Sequence, residues 1–159
     1  MAEHPETGRD ESESERVDRN LQEMLGELRV ALPGVQVLFA FLLVVPFNQR
    51  FSAVTTFERT VYFTTLLFAT LSTVCLIAPT VHHRLEFRRQ DKERIVVTGN
   101  RIVNAGLACL AIAMTGAILF TTSFLYGSAT TVVAAIPVAL AFAVLWYLFP
   151  LRRLARHDG

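Results

Sequence analysis

The sequence predicts an all-α membrane protein: a bundle of four transmembrane helices with an amphipathic cytoplasmic helix before the first span. Three observations predict it. Of 159 residues, 52% are apolar and only 18% are charged, where an ordinary soluble domain carries about a quarter. The 15 basic and 14 acidic residues all fall within 1–29, 48–59, 81–101 and 152–159. Between those segments lie four stretches, 30–47, 60–80, 102–126 and 128–151, without Asp, Glu, Lys, Arg or His. At 1.5 Å per residue they reach roughly 27 to 37 Å, matching a hydrocarbon core about 30 Å thick. A soluble core helix seldom stays uncharged on every face for so long. The segregation excludes a water-soluble α/β enzyme and most nucleic-acid binders.

The first element is a tail, 1–14, acidic and without large apolar groups, so disorder is expected there. Ser12 and Glu15 have the spacing of a helix-capping box. From there Val17, Leu21, Met24, Leu25, Leu28 and Leu32 recur at helical spacing and form one apolar stripe. Residues 15–29 are therefore an amphipathic cytoplasmic helix. Helices that lie flat on lipid favour basic polar faces, but the tail through Arg29 has nine acids against four bases. The 81–101 loop has six bases against three acids. Docking of the first helix on that loop is the expectation. Pro33-Gly34 is expected to bend or break the join to the first span.

The membrane domain covers 30–151. Its first span is not read as a signal peptide, because 29 mostly polar residues precede it and bulky Val45-Pro46-Phe47-Asn48 follows. Lys and Arg set orientation by staying cytoplasmic. With four spans, the amino-terminal tail, the 81–101 loop and the 152–159 tail share one side and carry 13 basic residues. The other side carries only Arg50 and Arg59. Both termini are thus expected in the cytoplasm, and the protein in the inner (plasma) membrane as a multi-pass chain. The loop is expected to be helical through much of its length, extending the second span inward past a kink at Pro79. Phe47, Phe51, Phe57, Tyr62 and Tyr126 at one level and Trp146-Tyr147 at the other read as aromatic interface anchors.

Helix association in lipid depends on close packing and interhelical hydrogen bonds. Small residues four apart mark expected seams at Thr65, Ala69 and Thr73, at Ala113 and Ala117, and at Ala135, Ala139 and Ala143. Pro137 is expected to bend the fourth span, and Cys75 and Cys109 to pack as small apolar residues. Gln36, Thr73 and Asn104 are the candidate interhelical polar contacts, with a polar lining for a permeation path as the sharper alternative. No phosphate loop, nucleophile elbow or zinc spacing is present. Adjacent His82 and His83 point about 100° apart on a helix, a poor metal site. Neither catalytic nor metal residues are therefore expected, nor a cofactor. Arg84, Arg88, Arg89, Lys92 and Arg94 are candidate contacts for anionic lipid headgroups.

The runs Val17-Asp18-Arg19-Asn20-Leu21-Gln22-Glu23 and Gly26-Glu27-Leu28-Arg29-Val30, then Gly34-Val35-Gln36-Val37-Leu38-Phe39-Ala40-Phe41-Leu42-Leu43, carry a resemblance. Pro46-Phe47, Ala78-Pro79, His83-Arg84 and Phe87-Arg88-Arg89 extend it. Together they resemble a family of small bacterial, on this likeness actinobacterial, four-span membrane proteins of unknown function. Some of its members are automatically labelled sodium:proton antiporter. The resemblance implies no site residues. The expected role is a non-enzymatic accessory or assembly component. Its expected partners are the lipid bilayer with its anionic headgroups, and a second copy or another membrane protein; no nucleic acid is expected. The alternative is an oligomeric transporter or channel with Gln36 on a shared path. The lack of Asp, Glu or His within the spans disfavours it, because proton coupling needs a titratable group near the midplane.

Overall fold

The computed structural model describes residues 13–86, 92–126 and 128–148, and among these there are helices and no strand. Helix α1 is Glu13–Val44, α2 is Thr56–Glu86, α3 is Lys92–Tyr126 and α4 is Ser128–Phe142, continued by π-helical turns over Ala143–Leu148. Two short 3-10 turns, Val45–Phe47 and Gln49–Ala53, join α1 to α2. The stretches Leu25–Phe47, Thr56–Val81 and Thr98–Tyr126 are long and apolar enough to cross a membrane, and Thr130–Trp146 is a shorter apolar one. The chain is an all-α membrane protein of four helices. Below, "linker end" denotes the level of the α1–α2 link, and "loop end" the level where α2 stops and α3 starts.

The packing follows one rule. On α2 the buried residues are Glu58, Tyr62, Thr65, Ala69, Ser72, Leu76 and Pro79, in alternating steps of four and three. On α3 Gly99, Val103, Gly106, Leu110 and Ala113 are buried in the same steps, continued by half-buried Ala117 and buried Phe120. On α1 the series is Leu25, Leu28, Leu32, Val35, Phe39 and Leu42, with Leu28, Val35 and Leu42 fully covered. A repeat of 3.5 residues keeps one seam of each helix facing its neighbours, as in left-handed helix pairs. Towards the loop end Leu28 and Val35 meet Leu76, Val103 and Leu110; towards the linker end Leu42 meets Val54, Tyr62, Ala69, Ala113 and Phe120.

The tightest contact is between α2 and α3. A Cβ added to Gly106 would stand 3.0 Å from the Cβ of Cys75 and from a methyl of Leu76. One added to Gly116 would overlap the hydroxyl of Thr65. Helix α4 packs on α3 and on neither α1 nor α2 among the described residues. Its Thr131 and Ala135 are buried, whereas Ala139 and Ala143 of the expected seam are exposed, because the helix draws away from α3 at its far end.

Two expectations change. Pro33-Gly34 does not interrupt α1, which runs unbroken from Glu13 to Val44. Pro33 deprives the Arg29 carbonyl of its donor, but both residues are exposed. Leu28, Leu32 and Val35 stay seated on α2 and α3 across the proline, so packing holds the helix through it. The amphipathic segment and the first span are one helix. Second, α2 begins at Thr56, one turn before the first uncharged residue of its span, and so carries Glu58 and Arg59 within it. The extension of α2 beyond Pro79 is observed to Glu86, and α3 begins at Lys92. The Ser12–Glu15 capping box, the side chains of Val17, Leu21 and Met24, and the tails at 1–12 and 149–159 lie outside the described residues.

Gly116→Ala is expected to destabilise the fold by about 1–3 kcal/mol through overpacking, and Thr65→Ala in the same chain to restore most of the loss. Unfolding in mixed detergent micelles followed by circular dichroism measures both; equal stability of Gly116→Ala and the wild type would show that the helices do not approach this closely.

Candidate functional site

The polar groups gather at the linker end. Thr55 precedes the first turn of α2, and Glu58 sits three residues on, the Thr-x-x-Glu spacing of a capping box. The geometry is reciprocal. The Thr55 N–H and hydroxyl donate to Glu58 Oε2 at 2.9 and 2.8 Å, and the Glu58 N–H donates to Thr55 Oγ1 at 3.3 Å. The other carboxylate oxygen leaves the helix: Ser123 Oγ on α3 donates to Glu58 Oε1 at 3.0 Å. Glu58 is only 7% exposed. All three of its partners donate, which suits a carboxylate, since an ionised acid can only accept.

One turn along α2, the Tyr62 hydroxyl donates to the Leu42 carbonyl at 2.9 Å. The chemistry of the link explains this bond. An α-helical partner for the Leu42 carbonyl would be the N–H of residue 46, and Pro46 has none. The tyrosine supplies the missing donor and covers an orphan group at the end of α1. Its ring stands edge-on to Phe51, centroids 5.4 Å apart, and 5.7 Å from Phe120, which stacks on Phe124 at 6.2 Å. Asn48 Oδ1 accepts the Arg50 N–H at 3.0 Å and shapes the link. Above these rings lies an apolar cavity of about 190 Å³, bounded by Val45, Asn48, Phe51, Val54, Phe120 and Phe124.

Chemically the cluster is a clamp. Both carboxylate oxygens of Glu58 are engaged by donors of its own protein. Among the described residues no group of three His, Cys, Asp or Glu side chains is placed to hold a metal. The Thr55–Glu58 spacing was present in the sequence and marks this cap; Ser123 and the Leu42 carbonyl carry no sequence signal.

The three candidate interhelical contacts are not brought together. Thr73 Oγ1 donates to the Ala69 carbonyl of its own helix at 2.9 Å. Gln36 and Asn104 are exposed. Gln36 is exposed at the flank of the α1 seam, beside half-buried Leu32 and at the centre of Leu25–Phe47. Asn104 is on the face of α3 opposite the seam. The side chains of Arg84, Arg88, Arg89, Lys92 and Arg94, like those of His82 and His83, lie outside the described residues. Cys75 and Cys109 are free thiols, half-buried.

These features define a small polytopic helical membrane protein whose polar groups serve helix ends and helix contacts. The chain belongs to a family of unknown function (DUF6328), whose model matches residues 10–150. No curated protein and no solved structure matches it.

Tyr62→Phe leaves the Leu42 carbonyl buried without a donor, and a loss of about 1–3 kcal/mol is expected. Glu58→Ala removes both the cap and the tie to α3, and should cost at least as much. Thermal unfolding in detergent compares them, and a Tyr62→Phe protein as stable as wild type would remove the hydroxyl from this role.

Proposed function

We propose that this protein is a non-enzymatic accessory or assembly component of the bacterial plasma membrane, working through self-association, with both termini in the cytoplasm. The single observation that carries this reading is Gln36. It is the middle residue of Leu25–Phe47 and is exposed, with exposed Pro33 and Ala40 as its neighbours on the surface of α1. An amide at mid-depth in hydrocarbon seeks a hydrogen-bonding partner, at about 0.6 to 2 kcal/mol per bond. A primary amide both donates and accepts, so two copies related by a two-fold axis satisfy each other. Ala40, four residues on along the helix surface, is small enough to let two backbones approach. The excess of Lys and Arg at the loop end and tails supports the orientation, and the loop cations Arg84, Arg88, Arg89, Lys92 and Arg94 are the groups we assign to anionic headgroups.

One observation favours a second reading, that of a transporter such as the sodium:proton antiporter named for some members of the resembled family. The acid Glu58, which the sequence leaves outside the spans, is buried within an apolar helix. Against transport, it sits at the extreme linker end rather than near the midplane, and three donors from its own chain hold it.

Chains labelled with donor and acceptor dyes and co-reconstituted in phosphatidylcholine vesicles are expected to show energy transfer that Gln36→Leu reduces severalfold. Transfer unchanged by Gln36→Leu would end the self-association reading. Reporter fusions after Ser52, Asp91 and Gly159 test orientation: cytoplasmic activity is expected at the second and third and not at the first. Sodium-driven proton movement in dye-loaded vesicles, abolished by Glu58→Gln, would place transport first.

A further inference from the structure

The face of α3 turned away from the core carries a second feature. Helix α4 covers it at the linker end, where Thr131 and Ala135 are buried. Over Ala143–Leu148 the chain is π-helical and no longer approaches α3. The divergence opens an apolar cleft of about 470 Å³ between Ala108, Ile112 and Leu119 on one side and Ala139, Phe142 and Ala143 on the other. Below the cleft, towards the loop end, no described residue of α4 covers the same face of α3. Asn104 precedes Ala108 by four residues and Arg101 precedes it by seven, so both lie in line with the cleft, and both are exposed. Side chains on a helix lean towards its amino terminus, which carries both polar groups towards the end of the span.

We propose that this cleft holds one acyl chain of an anionic phospholipid, with the headgroup phosphate met by the Arg101 guanidinium and the Asn104 amide. Length and charge select this occupant. Along α3 the cleft runs from Ala108 to Leu119, roughly 16 Å, about half of a core that is about 30 Å thick. That is the reach of one leaflet's chain. A partner helix crossing the membrane would need the full thickness. A planar guanidinium is also suited to bidentate recognition of a phosphate, and an amide adds a further donor. The inference rests on the membrane reading alone and is independent of Gln36 and of the loop cations.

Trp146 is the only tryptophan of the chain. It stands edge-on to Phe142 of the cleft wall, ring centroids 4.9 Å apart, and reports on the site. The full chain is reconstituted in phosphatidylcholine vesicles containing a minor fraction of either phosphatidylglycerol or phosphatidylcholine, brominated on the acyl chain. Brominated phosphatidylglycerol is expected to quench Trp146 severalfold more than brominated phosphatidylcholine at equal fraction. The double variant Arg101→Gln, Asn104→Leu should abolish that difference and leave quenching by phosphatidylcholine unchanged. Ala139→Phe, which fills the cleft from α4 and leaves the polar pair intact, should reduce the phosphatidylglycerol excess as well. Equal quenching by the two lipids in the wild type, or an excess that survives the double variant, overturns the site. Absence of quenching by either lipid would instead sink the membrane reading, and the site with it.

Discussion

The close approach of α2 to α3 is the constraint on which the remaining structure depends. At Gly116 there is no space for a β-carbon beside Thr65, and at Gly106 there is hardly more beside Cys75 and Leu76. In lipid, apolar side chains gain nothing from leaving one hydrocarbon for another, so helices adhere through contact and polar bonds. Two glycines ten residues apart let the α2 and α3 backbones meet over several turns. The α1 seam from Leu25 to Leu42 then lies against both helices at once, and α4 is left with the outer face of α3. The order of attachment follows from that one pair.

Polar accounting explains most of the rest. A hydroxyl in hydrocarbon must find an acceptor, and the threonines of the helices find it at home: Thr65, Thr70, Thr73, Thr115 and Thr122 each donate to a carbonyl four residues back. They therefore contribute shape rather than cross-links. The bonds that do join helices occur at the linker end, where the chain itself creates vacancies. Pro46 leaves the Leu42 carbonyl without a donor and Tyr62 fills it; the first turn of α2 has free N–H groups and Thr55 with Glu58 answers them, Ser123 taking the carboxylate's second oxygen. Ser72 is the exception among the described residues, fully buried with its hydroxyl unpaired. It occupies the seam between Ala69 and Leu76, where a side chain longer than serine would hold α2 and its neighbours apart, so small size accounts for its place there.

The architecture was legible because membrane insertion separates charge from hydrocarbon along the chain, and that separation is a one-dimensional property. The four helices follow from it. What sequence could not resolve were questions of face. Small residues at intervals of four mark Thr65, Ala69 and Ala113, which are buried, but an interval of four drifts off a seam whose true interval is 3.5 and so reaches Thr73 instead of Ser72. Gln36 and Asn104 were assigned inward because polar groups in lipid usually turn inward, and only the seam positions on either side of them show that they point out. Pro33-Gly34 reads as a break to any local rule, and tertiary packing of Leu32 and Val35 overrides it. Glu58 was classed with the loop by its charge, although Thr55 three residues earlier carried the signal of a helix start.

Outward-facing polar groups are therefore the features in this structure that its own fold does not explain. The clamp at the linker end is closed on itself: each donor has its acceptor, and the cavity above it is lined almost entirely by apolar side chains. Gln36 and the pair Arg101 and Asn104 differ, because they are exposed and no bond joins them to the other described residues. They also differ from each other in depth. An amide at mid-span meets only other proteins or acyl chains, and the former alone can bond to it. A guanidinium near the end of a span lies within reach of headgroups, and a bare apolar cleft above it is the shape a chain attached to such a headgroup would fill. Depth, read from position within each apolar segment, thus distinguishes the amide on α1, at the centre of its segment, from the guanidinium and amide on α3, near the end of theirs.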